Sequence, residues 1–372
     1  MMLVHYRDVW KLLGIENFVV ITTNDFYRDD KGIIKPGVSK FLEYAKSESI
    51  EILKISEVIT QGLKFKNVVS NHMMSGNKKN TNLELRNYIK IIINRALKIL
   101  RIDKQIKFNS NVYLPLIVGE TQIRFMYGAD ISDSWSLQPW NEIYDVVLCH
   151  GVNDEREIKK RFNAKTYVMG YPRYDRYFSE SIDKAEIIDE FNIDRSKKTL
   201  VWMPTLGGEY STIPLFVKAF TAIQNKYNFI VRPHPLSFIQ EIKYIELLES
   251  HNYQIDKNPL RDMNELFSLA DVILADYGGT PFSAIFLGIN LVLLDVEGAD
   301  SYSFNINSST LELRKYLPVF NKHNIGALYD ILDSEEFYRS NKNIVNTLFV
   351  KYFDSPRGGG AHRAANILLS LL

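Results

Sequence analysis

The chain has 372 residues, 45 of them basic and 44 acidic, a near balance that excludes a global field able to draw nucleic acid or an acidic polymer. That length holds two domains, each with a core of its own. A single cysteine, Cys149, excludes an intramolecular disulfide and a cysteine-rich metal site; with no apolar run of transmembrane length and no signal-peptide order at the start, a soluble, cytoplasmic protein is expected.

The amino-terminal part alternates short apolar runs with helical patterns: FVVIT at Phe18 to Thr22, a helical Val38 to Ser47, EILKI at Glu51 to Ile55 and NVVS at Asn67 to Ser70. Such alternation predicts a parallel α/β fold. Leu83 to Lys107 is different, because one helical face carries Leu85, Ile89, Ile92 and Ala96 while Arg86, Lys90, Arg95 and Lys98 supply positive charge. Two readings of this basic amphipathic helix stand side by side: a core-packing helix with a solvated basic face, or a peripheral contact with the inner membrane surface through 83–107. From Asn111 the run VYLPLIV reads as a strand. A further strand, YDVVLC, delivers His150 to its carboxyl end, and Asp154 with Glu157 reads as a capping box for the next helix. His150 therefore lies at the edge where open parallel sheets bind ligands, either as a functional imidazole or as an ordinary turn histidine. Cys149 reads as a buried filler.

After TYVMG and the turn YPRYDRYF a second series begins: TLVWMPT, a helix over Leu215 to Tyr227, NFIVRPHP, a helix over Glu241 to Ser250, a helix over Asp262 to Ala270, and then LADVILADYGGTPFSAIFLGINLVLLD. The expected fold class is α/β, with two Rossmann-like, doubly wound domains facing across a cleft. The boundaries expected are 1–178 for an acceptor domain, 179–355 for a nucleotide-donor domain, and 356–372 for a carboxyl-terminal helix that packs back on the first domain, with a linker near Tyr171 to Asp183.

Three turns of the second half point to one place. In DYGGT, Asp276 ends a buried strand, Gly278 and Gly279 remove side chains where a ligand would approach, Thr280 reads as an N-cap and Pro281 as the first helical residue. The free N–H groups and positive end of that helix suit a diphosphate. MPTLGGE places Thr205 at a second strand end, and RPHP holds Arg232 and His234 stiffly about two prolines. A cation, an imidazole and glycine amides around one pocket are what a nucleotide diphosphate requires. No Asp-x-Asp pair, P-loop, G-x-G-x-x-G or G-x-S-x-G occurs, so a required metal is not indicated.

GYPRYD (Gly170 to Asp175), WMPT (Trp202 to Thr205), RPHP and LADVILADYGGTPFSAIFLG, in that order, resemble the CDP-glycerol glycerophosphotransferases of teichoic acid and capsule synthesis, which have GT-B-like folds. DYGG stands where members usually carry DYSS. The resemblance implies a CDP-activated polyol donor as substrate with no required cofactor, a glycan or lipid-linked acceptor, attack of the acceptor hydroxyl on the β-phosphorus, and release of CMP. It places His234 in the catalytic cleft and Gly278, Gly279 and Thr280 on the diphosphate. Arg173, in GYPRYD, and Arg357, in the closing DSPRGGGAHR, become candidate phosphate contacts. The family's Trp-His-Gly motif is matched by Met126, Tyr127 and Gly128, with tyrosine in place of the histidine expected to be the base; His150 or Tyr127 takes the role, or the reaction differs. Two rivals follow: a non-hydrolysing UDP-sugar 2-epimerase, and a GT-B-like protein that binds nucleotide or glycan without turnover.

Overall fold

The computed structural model describes residues 6–22, 38–70, 93, 96–97, 100, 118–133, 136–179, 182–258, 261–302 and 305–372. The basic helix expected over 83–107 and the strand expected over VYLPLIV lie almost wholly outside the described residues.

The amino-terminal unit has helix α1 (Arg7–Leu13), strand β1 (Val20–Thr22), helix α2 (Val38–Ser47), β2 (Ile52–Lys54), α3 (Ile55–Thr60), β3 (Phe65–Ser70), β4 (Gly119–Phe125), β5 (Val146–Cys149), α4 (Val152–Arg161) and β6 (Lys165–Val168). β1 pairs with β2, and β3-β4-β5-β6 form a second parallel sheet in that order. β4 was not legible as a strand. Its sequence GETQIRF begins polar and carries Arg124 into the interior, where the guanidinium donates to the Ser136 carbonyl at 3.1 Å and to Asn141. The helix after β5 has Gly151, not Asp154, at its N-cap, and Asp154 in its first turn reaches back to the His150 N–H at 2.9 Å.

The second unit is a six-stranded parallel sheet in the order β12-β11-β10-β7-β8-β9, from β7 (Thr199–Met203), β8 (Asn228–Val231), β9 (Gln254–Ile255), β10 (Val272–Ala275), β11 (Asn290–Leu294) and β12 (Val319–Phe320). This is the doubly wound order, with its switch point between β7 and β10. All residues of β7, β8 and β10 are buried, as a sheet covered on both faces demands. The strand period of two divides the core. Leu200, Trp202, Phe229, Val272 and Leu274 pack under α5 (Ile213–Gln224), while Val201, Met203, Ile273 and Ala275 pack under α6 (Thr280–Leu287) and α7 (Glu335–Tyr352).

The segment expected as a linker is built into this second core. Tyr171 and Tyr174 are buried among Phe282, Phe286 and Phe353, because the turn is aromatic and has an apolar sheet face to cover. Asp175 then accepts from the Gly360 and Ala361 amides at 2.9 and 2.7 Å, capping helix α8 (Gly360–Ser370). α8 lies on the amino-terminal unit, where Ala361, Ala364, Ala365 and Leu368 meet Val9, Trp10, Leu13 and Phe125. The loops leaving the carboxyl ends of β4, β5 and β6 all reach the six-stranded unit. At β5 the approach is so close that a Cβ on Gly151 would lie 2.4 Å from the Phe353 Cα. The result is two parallel α/β units set edge to edge, a GT-B-like fold.

Candidate active site

The switch point puts the carboxyl ends of β7 and β10 side by side, and Asp276 joins them. Its carboxylate accepts from the Thr205 amide at 3.0 and 3.1 Å, from Thr212 Oγ1 at 2.8 Å and from the Tyr277 amide at 2.8 Å. Burial pushes this carboxyl up to about 6, with those bonds and Arg314 opposing the rise. Asp276 is thus an internal brace. Its main chain is held as well, since Arg314 donates from Nη2 to the Asp276 carbonyl at 3.1 Å and from Nε to Asp295 at 2.8 Å.

Gly278 follows at φ +78°, a left-handed conformation that favours glycine. Among the described residues, a Cβ on Gly279 would meet nothing within 4 Å, so the turn opens outward. α6 starts one residue earlier than its sequence suggested, with Gly279 as N-cap and Thr280 inside the first turn; no side chain among the described residues caps it, which leaves its first amides for an incoming anion. Gly288, left-handed at φ +72°, ends it.

The RPHP turn is tied to the same edge. The His234 amide donates to the Pro204 carbonyl at 3.2 Å, next to Thr205. His234 Nδ1 accepts from the Leu236 amide at 3.2 Å, an arrangement that leaves the proton on Nε2 of the neutral ring. Burial lowers the pKa of this imidazole, with Glu241 opposing and Arg232 adding to the fall. Glu241, itself buried, accepts from the Gly208 amide at 2.6 Å and from Ser237 Oγ at 2.7 Å, binding the glycine loop after β7 to the helix after RPHP. The three turns are therefore stitched together. Arg232 faces the other way: its Nη1 reaches the carbonyls of Asp256 and Asn258 at 3.1 and 2.7 Å and the Asp256 carboxylate at 3.1 Å. A guanidinium buried in that pair is committed to holding the β8–β9 edge.

On the facing unit, Tyr127 is 36% exposed. Burial raises its pKa and Arg173 partly offsets the rise, so its hydroxyl is a donor and a poor base. Arg173 is half-buried with its guanidinium over the Tyr174 ring at 5.3 Å; burial lowers its pKa, but Tyr174, Tyr171, Tyr127 and Tyr6 more than reverse that. The group has no hydrogen bond or ion pair among the described residues, and its nitrogens reach solvent. A charge placed so, with all its donors open, is equipped for an anion. His150 is 0% exposed: its ring packs against Tyr171 with centroids 4.1 Å apart and planes tilted by 45°, Nδ1 lies 3.2 Å from Asp154, and Nε2 is buried without a partner among the described residues. Arg357 stacks on Phe349 at 4.1 Å and lies beside Gly288, at the end of α6 opposite the glycine turn. The structure thus brings Thr205, His234, Asp276, Gly278, Gly279 and Thr280 to one edge, sets Tyr127 on the facing unit and Arg173 near it on the turn after β6, and places Arg232, His150 and Arg357 apart. Among the described residues no group of three His, Cys, Asp or Glu side chains could hold a metal ion, and no helix is long and apolar enough to cross a membrane.

A family model described as CDP-glycerol:poly(glycerophosphate) glycerophosphotransferase matches residues 137–363, more than half of the chain. The chain belongs to that family. Among curated proteins, the teichoic acid poly(ribitol-phosphate) polymerase of Bacillus spizizenii is 22% identical over 170 residues, 42% of this chain and 27% of that protein; the chain thus spans little more than a quarter of that relative's length. Among solved structures, the wall teichoic acid polymerase TagF soaked with CDPG superposes with a TM-score of 0.57 at 14% identity, over 98% of this chain and 84% of that one. That likeness is one of fold. A UDP-GlcNAc 2-epimerase from Neisseria meningitidis, with a TM-score of 0.49 at 13% identity over 99% of this chain and 95% of that one, is too distant to favour the epimerase reading over the family.

The family motifs fall at the turns just described, but several residues that assemble them carried no signal that reading used. Asp130, which accepts from Ser308 Oγ at 2.8 Å, Glu241, which accepts from the Gly208 amide, and Tyr174, whose hydroxyl donates to Ser283 Oγ at 2.8 Å, act across long sequence separations. The run Asn307 to Thr310 was readable as a helix start, since Ser308 caps the helix Ser309–Leu313 by accepting from the Thr310 amide at 3.1 Å.

Proposed function

We propose that the protein transfers a polyol phosphate, glycerol phosphate or a close analogue, from a CDP-activated donor to a hydroxyl of a glycan or lipid-linked acceptor in cell-envelope polymer synthesis. The observation that carries this reading is the Gly278–Gly279 turn, open toward solvent at an uncapped helix start and braced by Asp276 to the strand end that also anchors His234, in a chain of this family. TagF, of like fold, was solved with CDPG.

In the reaction, the amides of Gly279 and Thr280 take the diphosphate oxygens and Nε2–H of His234 donates to the leaving phosphate. The acceptor oxygen forms a bond to the β-phosphorus, the bond from that phosphorus to the bridging oxygen breaks, and CMP departs with the electron pair. Phosphoryl transfer of this kind is governed by positioning and charge stabilisation, so a strong base is not essential. Tyr127 orients the acceptor hydroxyl and Arg173 meets the charge on the phosphoryl oxygens, which gives its open donors an occupant. The acceptor proton passes to solvent. Neither metal nor other cofactor enters this scheme, so a chelator leaves the rate unchanged. A lipid-linked acceptor puts the work at the cytoplasmic face of the membrane, where the basic segment 83–107 would meet anionic lipid.

The reading is tested by thermal stabilisation, since a ligand that binds only the native state raises the melting point; at 100 times its Kd the gain is about 2.7 kcal/mol. CDP and CMP are expected to stabilise and UDP to do so far less. Stabilisation by UDP alone would sink the cytidine assignment.

A further inference from the structure

Directly after Tyr127, the loop leaving β4 crosses to the six-stranded unit. Asp130 Oδ1 accepts from Ser308 Oγ at 2.8 Å, from Ser309 Oγ at 2.9 Å and from the Thr310 amide at 3.3 Å. Ile131 and Ser309 close the joint on either side: the Ile131 amide donates to Ser309 Oγ at 2.9 Å and the Ser309 amide to the Ile131 carbonyl at 2.8 Å. The fully buried Thr310 carries the link onward, its hydroxyl lying 2.8 Å from Ser308 Oγ and 3.4 Å from the carbonyl oxygen of Gly278, to which it donates. One carboxylate oxygen thus connects the loop of Tyr127 to the turn that presents Gly278 and Gly279. The bonds are also costly to lose: Asp130 is partly buried, burial raises its pKa, and Ser308, Ser309 and Thr310 oppose that rise.

We propose that Asp130 is a positioning residue that sets the separation between the acceptor-side loop of Tyr127 and the donor-side glycine turn. It touches neither substrate; it acts through Ser308, Ser309 and Thr310. The inference rests on the transfer reading above for its consequence, since two reactants held by different units react only when those units keep one spacing, and a misplacement of about 1 Å costs roughly 100-fold. It goes beyond that reading in naming the joint.

Asp130→Ala, Asp130→Asn and Thr310→Val are compared with the wild type by kcat, by the Kd for CDP and by hydrogen exchange at Tyr277 and Ser283, whose amides donate to Asp276 and to the Gly279 carbonyl at the glycine turn. All three bonds fall on one oxygen, so an asparagine with its amide oxygen in that place keeps them. The expected result is a kcat lowered roughly 10- to 100-fold in Asp130→Ala with the CDP Kd within about twofold, most of the rate kept in Asp130→Asn, and faster exchange at Tyr277 and Ser283 in Asp130→Ala and Thr310→Val. An Asp130→Ala protein with a lower Tm and wild-type kcat would mark the residue as merely structural and overturn the proposal; so would a weakened CDP Kd with kcat intact. If the wild type transfers nothing, the transfer reading has failed, and exchange alone decides the joint: unchanged rates at Tyr277 and Ser283 in both variants would reject it.

Discussion

The Tyr174 hydroxyl donates to Ser283 Oγ at 2.8 Å, and that serine hydroxyl lies 3.2 Å from the Gly279 carbonyl to which it donates. The aromatic turn after β6 is thereby fastened to the first turn of α6, so the guanidinium of Arg173 and the glycine turn move as one body. Tyr174→Phe and Ser283→Ala each remove this bond, and each is expected to cost about 1 kcal/mol of stability. Chemical denaturation of both and of the double variant checks this. A double variant that costs the sum of the two single losses would show that the pair is not coupled.

Arg173 separates activity from stability. Its charge has no internal partner among the described residues, so Arg173→Ala removes a half-buried, unpaired guanidinium and should leave the melting point unchanged or slightly raised. Transfer should fall roughly 100-fold, with partial recovery in Arg173→Lys, which keeps the charge without the planar fork. Steady-state kinetics beside a melting curve decide the matter; a large stability loss with an unaltered rate would assign the residue to packing.

His234 gives a pH signature. Burial lowers its folded pKa below the ordinary histidine value, so the neutral ring with the proton on Nε2 persists as pH falls through 6.5. Stability from this group is present above the unfolded pKa and is lost as pH drops toward the lower folded one. The acid limb of kcat should accordingly lie below pH 6.5, and His234→Ala should lose roughly 100- to 1000-fold in kcat with the fold intact. A limb above 6.5 in the wild type would contradict the neutral-donor role.

Asp276 has the opposite sign. Its folded pKa of about 6 exceeds the unfolded value of 3.8, so the folded state holds the extra proton between them. Its contribution to stability is full below about 4 and declines as pH rises through about 6. Asp276→Asn retains an oxygen for the Thr205 and Tyr277 amides, and the Thr212 hydroxyl can turn to accept; that variant should flatten the stability profile between pH 4 and 7. Asp276→Ala, which strands those donors, should lose about 3 kcal/mol or more. An unchanged slope in the asparagine variant would remove Asp276 from the titration.

Most of the second unit was legible because its strands are short apolar runs ended by Asp276, by Pro204 and by Arg232, and such runs have one use in a sheet covered on both faces. β4 was hidden because Arg124 and Gln122 break the apolar pattern, and only distant partners such as Asn141 make the arginine tolerable inside. The donor edge was legible because glycines, prolines and a histidine at strand ends are local signals. The roles of Arg232 and Arg173 were not, since a guanidinium reads alike in sequence whether Asp256 neutralises it or it is left for a ligand. Tyr174 with Ser283, and Asp130 with Ser308, are contacts across more than a hundred residues, which no local pattern encodes.

Transfer itself is tested most directly by following phosphorus in a mixture of the protein, CDP-glycerol and a poly(glycerophosphate) acceptor. The account predicts one CMP released for each glycerol phosphate added to the polymer, with no release when a UDP-sugar replaces the donor. CMP release without polymer growth, or conversion of a UDP-sugar to its 2-epimer with CDP-glycerol left intact, would contradict it.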